Sequence, residues 1–220
     1  MSSNQEQIEY WNERAGETWA ELQDRLDALL APLSAAGLAA ANVRSGERVL
    51  DVGCGCGDTS IALNAMGANV LGVDVSGPML ARARSRDASI EYHQADAATT
   101  DFDHEFDLVF SRFGVMFFDD PRAAFKNLCS ALKPGGRLLF VCWQPPAVNP
   151  WMATAGRAIA PYLPPSDEAP DPRAPGPFAF ADAHYVEQIL QDAGFSNIQI
   201  KAHGASLKVA DTLAEAVQFQ

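Results

Sequence analysis

Between Arg48 and Trp143 the chain alternates short apolar runs with helical stretches. Its first changeover is a glycine loop, Val49-Leu50-Asp51-Val52-Gly53-Cys54-Gly55-Cys56-Gly57. That segment limits the fold more than any other. A short, nearly continuous apolar run bounded by glycines reads as a strand buried on both faces, the usual look of a parallel sheet. Glycines at 53, 55 and 57 then let the backbone turn into a helix and let a ligand approach it closely. The alternation continues, with strands predicted over residues 48–52, 69–75, 90–95, 106–111 and 137–143 and helices over 58–66 and 119–132. Ser76 is positioned to cap a further helix, with Pro78 in its first turn, where a missing N–H costs nothing. Strands alternating with helices predict an α/β chain, a mostly parallel sheet with helices on both faces.

The flanks differ in kind. Residues 8–42 read as helical, with Leu22, Leu26, Leu29, Leu30 and Leu33 on one face. Trp11 and Trp19 precede them, and tryptophan in a terminal arm is expected to pack on something. After Trp143, ten of the 14 prolines fall between Pro145 and Pro177. The same stretch carries Trp151, Met152, Ile159, Tyr162, Phe178 and Phe180, so it reads as a cover rather than a linker. Asp182 caps a helix ending at Gly194. Residues 197–203 and 206–210 are expected to form a closing strand pair around Gly204, and a further amphipathic helix begins at 211. The expected organisation is a single domain, 1–220, with a helical arm (1–42), a ligand-binding core (48–143), a proline-rich lid (144–181) and a closing helix and strand pair (182–220).

Composition excludes several classes. At 220 residues and 23.6 kDa, one domain with an adequate core is expected. Apolar residues make up 48% and charged residues 20%, which rules out a disordered chain. Four cysteines are too few for a disulfide scaffold. A net charge of −12 repels a phosphate backbone, so nucleic acid is not an expected partner. The polar start lacks the features of a signal peptide, and no apolar run reaches a membrane-spanning length, so a cytoplasmic protein away from membranes is expected. Monomer and homodimer are both open.

A glycine loop of this kind serves a dinucleotide, a nucleotide phosphate or an adenosine cofactor. Here the spacing is GxGxG, with Asp58 where GxGxxG has its third glycine, and there is no GK[ST]. Asp51 sits at the mouth of the loop, where it would repel a pyrophosphate and attract an ammonium or a sulfonium. Asp74 lies twenty-one residues after Gly53, the expected position for a carboxylate on a ribose diol. Asp96, in Gln94-Ala95-Asp96-Ala97, ends the third strand, where an exocyclic amine would donate to it. All three acids fall at carboxyl ends of parallel strands, where open α/β sheets bind ligands.

The runs VLDVGCGCGDTS and GVDVS, the Gln94–Ala97 step, FDLVFSRFGVMFF and LKPGGRLLFV, in this order, resemble the class I S-adenosylmethionine-dependent methyltransferases. The likeness is greatest to the small-molecule group similar to the ubiquinone/menaquinone-biosynthesis enzymes. The resemblance implies a Rossmann-like seven-stranded sheet of order 3-2-1-4-5-7-6 with strand 7 antiparallel. It implies S-adenosyl-L-methionine as cofactor and S-adenosyl-L-homocysteine as product. Gly53, Cys54 and Gly55 would border the methionine part, with Asp51 near its ammonium. Asp74 would hold the ribose, Val75 and Met79 would flank the adenine, and Asp96 and Ala97 would meet its polar edge. Ser111 and Arg112 would lie under the methyl donor, and Trp11 and Trp19 either close over the cofactor or simply dock the arm.

The acceptor site is less marked. Methyl transfer from a sulfonium is an in-line displacement that needs alignment and desolvation, and a base only where the acceptor must lose a proton. No catalytic residue is assigned. His93 reads as a core or sheet-surface residue and His104 as part of a solvated turn. Arg112 either meets an anion or pairs with an acid. Phe113, Trp143 and His184 are candidate substrate contacts, while Phe113, Met116, Phe117 and Phe118 read either as pocket wall or as a helix packed on the sheet. Cys54 and Cys56 lack zinc-site spacing and fit as small loop residues, so no metal is expected. The leading function is methyl transfer to a small molecule. The alternatives are an NAD(P)-dependent oxidoreductase on a similar sheet and a non-catalytic cofactor-binding or regulatory protein.

Overall fold

A computed structural model describes residues 4–159, 162 and 171–219. The chain begins with three helices, α1 (Gln5–Asn12), α2 (Arg14–Glu21) and α3 (Gln23–Ala41). A β/α alternation follows: β1 (Arg48–Val52), α4 (Asp58–Ala65), β2 (Asn69–Asp74), α5 (Gly77–Arg86), β3 (Glu91–Gln94), β4 (Phe106–Arg112), α6 (Pro121–Ala131) and β5 (Leu132–Val141). The chain continues through α7 (Pro150–Ile159), α8 (Ala183–Asp192) and α9 (Leu213–Phe219). No described helix is long and apolar enough to cross a membrane.

All five strands pair in parallel, in the order β3-β2-β1-β4-β5. Central β1 is covered on both faces, and Val49, Leu50 and Val52 are essentially inaccessible. Alternation along the strand divides two cores. Leu50 and Val52 join Val73, Val109 and Phe125 beneath α6 and α8, while Val49 joins Leu63, Leu80 and Phe110 beneath α3, α4 and α5. Asp51 shares the parity of Val49 and therefore faces the α4 side. The side chain of Ser76 caps α5 at the Met79 N–H, and Asp182 caps α8 at the N–H groups of His184 and Tyr185. At β5, Lys133 to Gly136 form a bulge between the pairs Phe106–Leu132 and Leu108–Arg137.

Two expectations are corrected. The sheet has five parallel strands among the described residues, not seven with an antiparallel member, so the order stops at 3-2-1-4-5. The expected closing pair at 197–203 and 206–210 runs without ladder pairing. A strand needs both a neighbour's hydrogen bonds and a buried face. Ile198 reaches the core, but Ile200 is 47% exposed and Lys201, His203, Ser206 and Lys208 bring no second apolar face. The arm is helical as expected, in three helices that break at Glu13 and Leu22, which lets α1 and α2 fold back over the sheet's carboxyl edge. In the expected lid, residues 160, 161 and 163–170 lie outside the described residues.

Candidate functional site

The glycine loop leaves β1 at Val52 and is pinned immediately: the N–H groups of Gly53 and Cys54 both donate to the Val73 carbonyl, at 2.8 and 3.1 Å. Gly53 (φ 65°) and Gly55 (φ 56°) lie in the left-handed region. A Cβ at Gly53 would stand 2.6 Å from the Cα of Gly114, and one at Gly55 would stand 2.8 Å from Met79 Cε. The loop therefore presents bare backbone to the space beside it. That space is a cavity of about 260 Å³ whose walls include Val52 to Cys56, Asp74 to Val75, Met79 and Asp96 to Ala97.

The three predicted acids have different surroundings. Asp74 is on the cavity wall, oriented by two backbone donors, Gly55 N–H to Oδ2 and Ser76 N–H to Oδ1, both at 2.8 Å. Burial raises its carboxyl above the ordinary range despite those donors. Asp96 also lines the cavity, with Oδ1 accepting from the Ala98 N–H at 2.9 Å. Asp51 does not line it. It lies beneath the loop, 1% exposed, where Oδ2 accepts from Thr59 at 2.8 Å and Ser60 at 2.6 Å while Oδ1 has no partner. Burial, outweighing the two hydroxyls, pushes its pKa up to about 6. Direct contact between Asp51 and a ligand's ammonium is thus not what the sheet's parity delivers, because the side chain points at α4.

The cysteines of the loop are buried on the cavity wall. Burial and nearby carboxylates push the Cys56 thiol up to about 12 and Cys54 well above its usual value. Both thiols are held protonated, as small loop residues rather than nucleophiles.

The N-terminal arm supplies the next wall. Asn12 bridges it to the β2–α5 turn, with Nδ2 donating to the Val75 carbonyl at 2.8 Å and Oδ1 accepting from the Gly77 N–H at 3.0 Å. Ser76 Oγ donates to the Trp11 carbonyl at 2.7 Å. So anchored, Trp11 meets Trp19 and Phe117 edge-on, at 5.9 and 5.2 Å between centroids, and both tryptophans line the cavity. Asn12 escaped the sequence reading, because a lone polar residue in a helical arm carries no local signal of what it will meet.

At the end of β4 the expectations divide. Arg112 lines the cavity but is held on its outer side: Nη1 lies 2.6 Å from Asp58 Oδ2 and 2.5 Å from Ser34 Oγ, with Asp27 at 3.9 Å from Nη2. Arg86 completes the group at 2.9 Å from Asp27. Ser111 is fully buried and does not line the cavity. It alternates away from Arg112 along the strand, and its Oγ would lie 3.1 Å from a Cβ on Gly114. Residues 115–117 form a single 3₁₀ turn rather than a longer helix, so Phe113, Met116, Phe117 and Phe118 all reach the cavity wall. Phe113 holds φ 64° and stacks on Trp143, with centroids 4.3 Å apart and planes 6° apart; Trp143 meets Trp151 edge-on at 5.6 Å. His184 does not approach the site: it is exposed on the first turn of α8, beside Gln188 at 3.1 Å. His93 pairs with Glu91 on the exposed side of β3, and His104 is exposed. Gln23, Asn4 and Trp151 line the cavity with buried polar atoms that lack partners, and helical periodicity alone did not single them out.

Parts of the chain are similar to known proteins. Residues 50–140 match the family model for a methyltransferase domain. An uncharacterized protein of Mycobacterium tuberculosis is 38% identical over 120 residues, covering 52% of this chain and 44% of its own length. The chain thus spans less than half of that relative. Phosphoethanolamine N-methyltransferase 2 of Haemonchus contortus, solved with phosphomonomethylethanolamine and S-adenosylhomocysteine, is 27% identical with a TM-score of 0.55, over 76% of this chain and 38% of that one. Magnesium protoporphyrin IX methyltransferase from Synechocystis shares the fold over 94% of this chain and 95% of its own, with a TM-score of 0.65 at 19% identity.

Proposed function

We propose that residues 50–140, which match the family model for a methyltransferase domain, form a class I S-adenosylmethionine-dependent methyltransferase core, and that the chain transfers a methyl group from S-adenosylmethionine to a small molecule. The observation that carries the reading is the pair formed by Asp74 and Gly55 on the cavity wall, a carboxylate oriented at 2.8 Å by the N–H of a loop glycine held in the left-handed region. The residues fit the cofactor. Asp74 keeps lone pairs free for two hydroxyls, Gly53 and Gly55 offer a bare surface, and Asp96 with the Ala97 backbone offers a polar edge beside Met79. When bound, the cofactor supplies a methyl group on a positively charged sulfur.

What the chain itself contributes is positioning and dryness. Trp11 and Trp19 exclude water from the arm side, and Trp143, Trp151, Met152 and Pro177 do so on the lid side. Excluding water and aligning the reacting atoms supplies most of what a displacement at an activated methyl needs. Asp51, beneath the loop, adds a negative field near a cationic ligand and holds α4 through Thr59 and Ser60. The covering role of residues 144–181 belongs to the same reading.

Ligand-linked stability tests it. S-adenosylhomocysteine at a hundred times its Kd stabilises the fold by about 2.7 kcal/mol, and NADH does not. Asp74→Asn folds but loses most of the S-adenosylhomocysteine shift, since its amide nitrogen must face either the Gly55 or the Ser76 N–H. A thermal shift with NADH and none with S-adenosylhomocysteine overturns the proposal.

A further inference from the structure

The glycine loop and the N-terminal arm both wall the cavity, and two side chains that do not line it join them from behind. We infer that Arg86 and Asp27 are positioning residues of the cofactor site, tying the Cys56 carbonyl of the loop to helix α3, so that docking the arm and shaping the loop are one event. The inference deepens the cofactor reading above and rests on it.

The loop is held at its start by β2 and at its end by α5. Gly53 and Cys54 donate to the Val73 carbonyl, and Gly55 donates to Asp74. Cys56 is only 2% exposed, and its carbonyl accepts from Arg86 Nη1 at 2.9 Å. A carbonyl in so buried a residue needs a donor, and a guanidinium supplies a charge-assisted one. The second branch of the fork, Nη2, lies 2.9 Å from Asp27 Oδ2. A planar fork aims two donors at two fixed acceptors, which an ammonium on a flexible stem does not.

Asp27 is committed on both oxygens, since its Oδ1 accepts from Gln23 Nε2. Gln23 is 2% exposed and lies on the cavity wall. One carboxylate on α3 thus sets a group on the arm wall directly and a group on the loop wall through Arg86.

The helix that carries Arg86 is gripped by the arm at both ends. At its start, Asn12 Oδ1 accepts from the Gly77 N–H and Ser76 Oγ donates to the Trp11 carbonyl; at its last turn, Arg86 meets Asp27. The same helix touches the loop twice: Met79 Cε would lie 2.8 Å from a Cβ on Gly55, and Arg86 holds Cys56. A shift of the arm at either end therefore disturbs a loop contact. The competing role for Arg86 is that of a plain helix-end cation, favourable wherever it points. Arg84 shares the last turn, but its Nη2 goes to the Tyr92 carbonyl rather than to the loop. Asp24 and Arg82 pair the same two helices at 3.4 Å near the surface and provide an internal control.

The test is a double-mutant cycle on the full chain, with S-adenosylhomocysteine affinity read by titration calorimetry. Arg86→Lys keeps the charge and gives up the fork. Asp27→Asn turns an amide nitrogen onto either Gln23 Nε2 or Arg86 Nη2, donor against donor. Each variant is expected to weaken S-adenosylhomocysteine about tenfold, and the double variant by about the same tenfold, because one linkage is cut either way. Arg82→Met leaves the affinity unchanged. An unchanged affinity in Arg86→Lys, or about a hundredfold loss in the double variant, overturns the inference and leaves the cofactor reading standing. Amide hydrogen exchange without ligand supplies a second readout. Residues 53–57 are expected to exchange about tenfold faster in Asp27→Asn and at the parent rate in Arg82→Met. Unaltered loop exchange overturns the inference too. Should Asp27→Asn fail to fold, Arg86→Lys carries both measurements. A parent chain that does not bind S-adenosylhomocysteine overturns the cofactor reading and, with it, the role of both residues in that site.

Discussion

Asp51 shows how much one residue's setting changes its chemistry. In the unfolded chain its carboxyl titrates near the ordinary 3.8, while in the fold burial holds it at about 6. Between roughly pH 4 and 6 the native state therefore keeps a proton that the unfolded chain has released, and stability falls as pH rises through that window. The full effect is on the order of 3 kcal/mol. Asp51→Asn keeps the acceptor for Thr59 and Ser60 and places an amide at the orphaned Oδ1 position. The expected outcome is a melting temperature for the native chain that drops relative to the variant between pH 4 and 7. A constant difference across that range would mean the carboxyl is ionised throughout. Asp51 was legible as an acid next to the glycine loop, and was expected to face the ligand there. Its direction came from pairing parity, which set it against α4 rather than the cavity.

At the scale of elements, the N-terminal arm is the part whose docking matters most. Gly16 on α2 lies so close to the β2–α5 turn that a Cβ would come within 2.6 Å of Ser76 Oγ and closer still to the Trp11 carbonyl. Gly16→Ala is expected to lift the arm, with a red shift of tryptophan emission and a weaker S-adenosylhomocysteine affinity. Ser76→Ala removes both the α5 cap and the 2.7 Å bond to Trp11, and should cost about 1 kcal/mol in denaturant unfolding with a smaller spectral change. If Gly16→Ala leaves both emission and affinity unaltered, the arm is not part of the site wall. The caps at Ser76 and Asp182 were readable, because a cap is a local contract between a side chain and the next turn. The breaks at Glu13 and Leu22 were not, because no glycine or proline marks them and the fold-back is selected by what the tryptophans pack against.

For the molecule as a whole, a charged cluster ties the arm helices to the sheet. Arg112 at the end of β4 and Arg86 on α5 share Asp27 from α3 and Asp58 from α4. Removing one member leaves buried charge unpaired, which costs more than the pair contributes. Arg112→Met is therefore expected to destabilise the chain by about 3 kcal/mol in urea unfolding. The loss should be nearly equal at low and high salt, since partners this enclosed are poorly screened. A variant as stable as the parent would show the cluster to be decorative.

Strand positions, the glycine loop and the Asp74 and Asp96 stations were available from residue order alone. Each depends on local rules: apolar runs for buried strands, glycine where a Cβ has no room, acids at strand ends. The spatial order of five strands also came through, since the resemblance carries it. The pairing partners of Arg112, the burial of Ser111, the exposure of His184, the absence of a ladder at 197–210 and the unmet polar atoms of Gln23, Asn4 and Trp151 emerged only from tertiary packing. Each of these is a meeting of groups far apart in the chain, and the rotation of a helix or the parity of a strand, which decides such meetings, is set by the packing of the entire core.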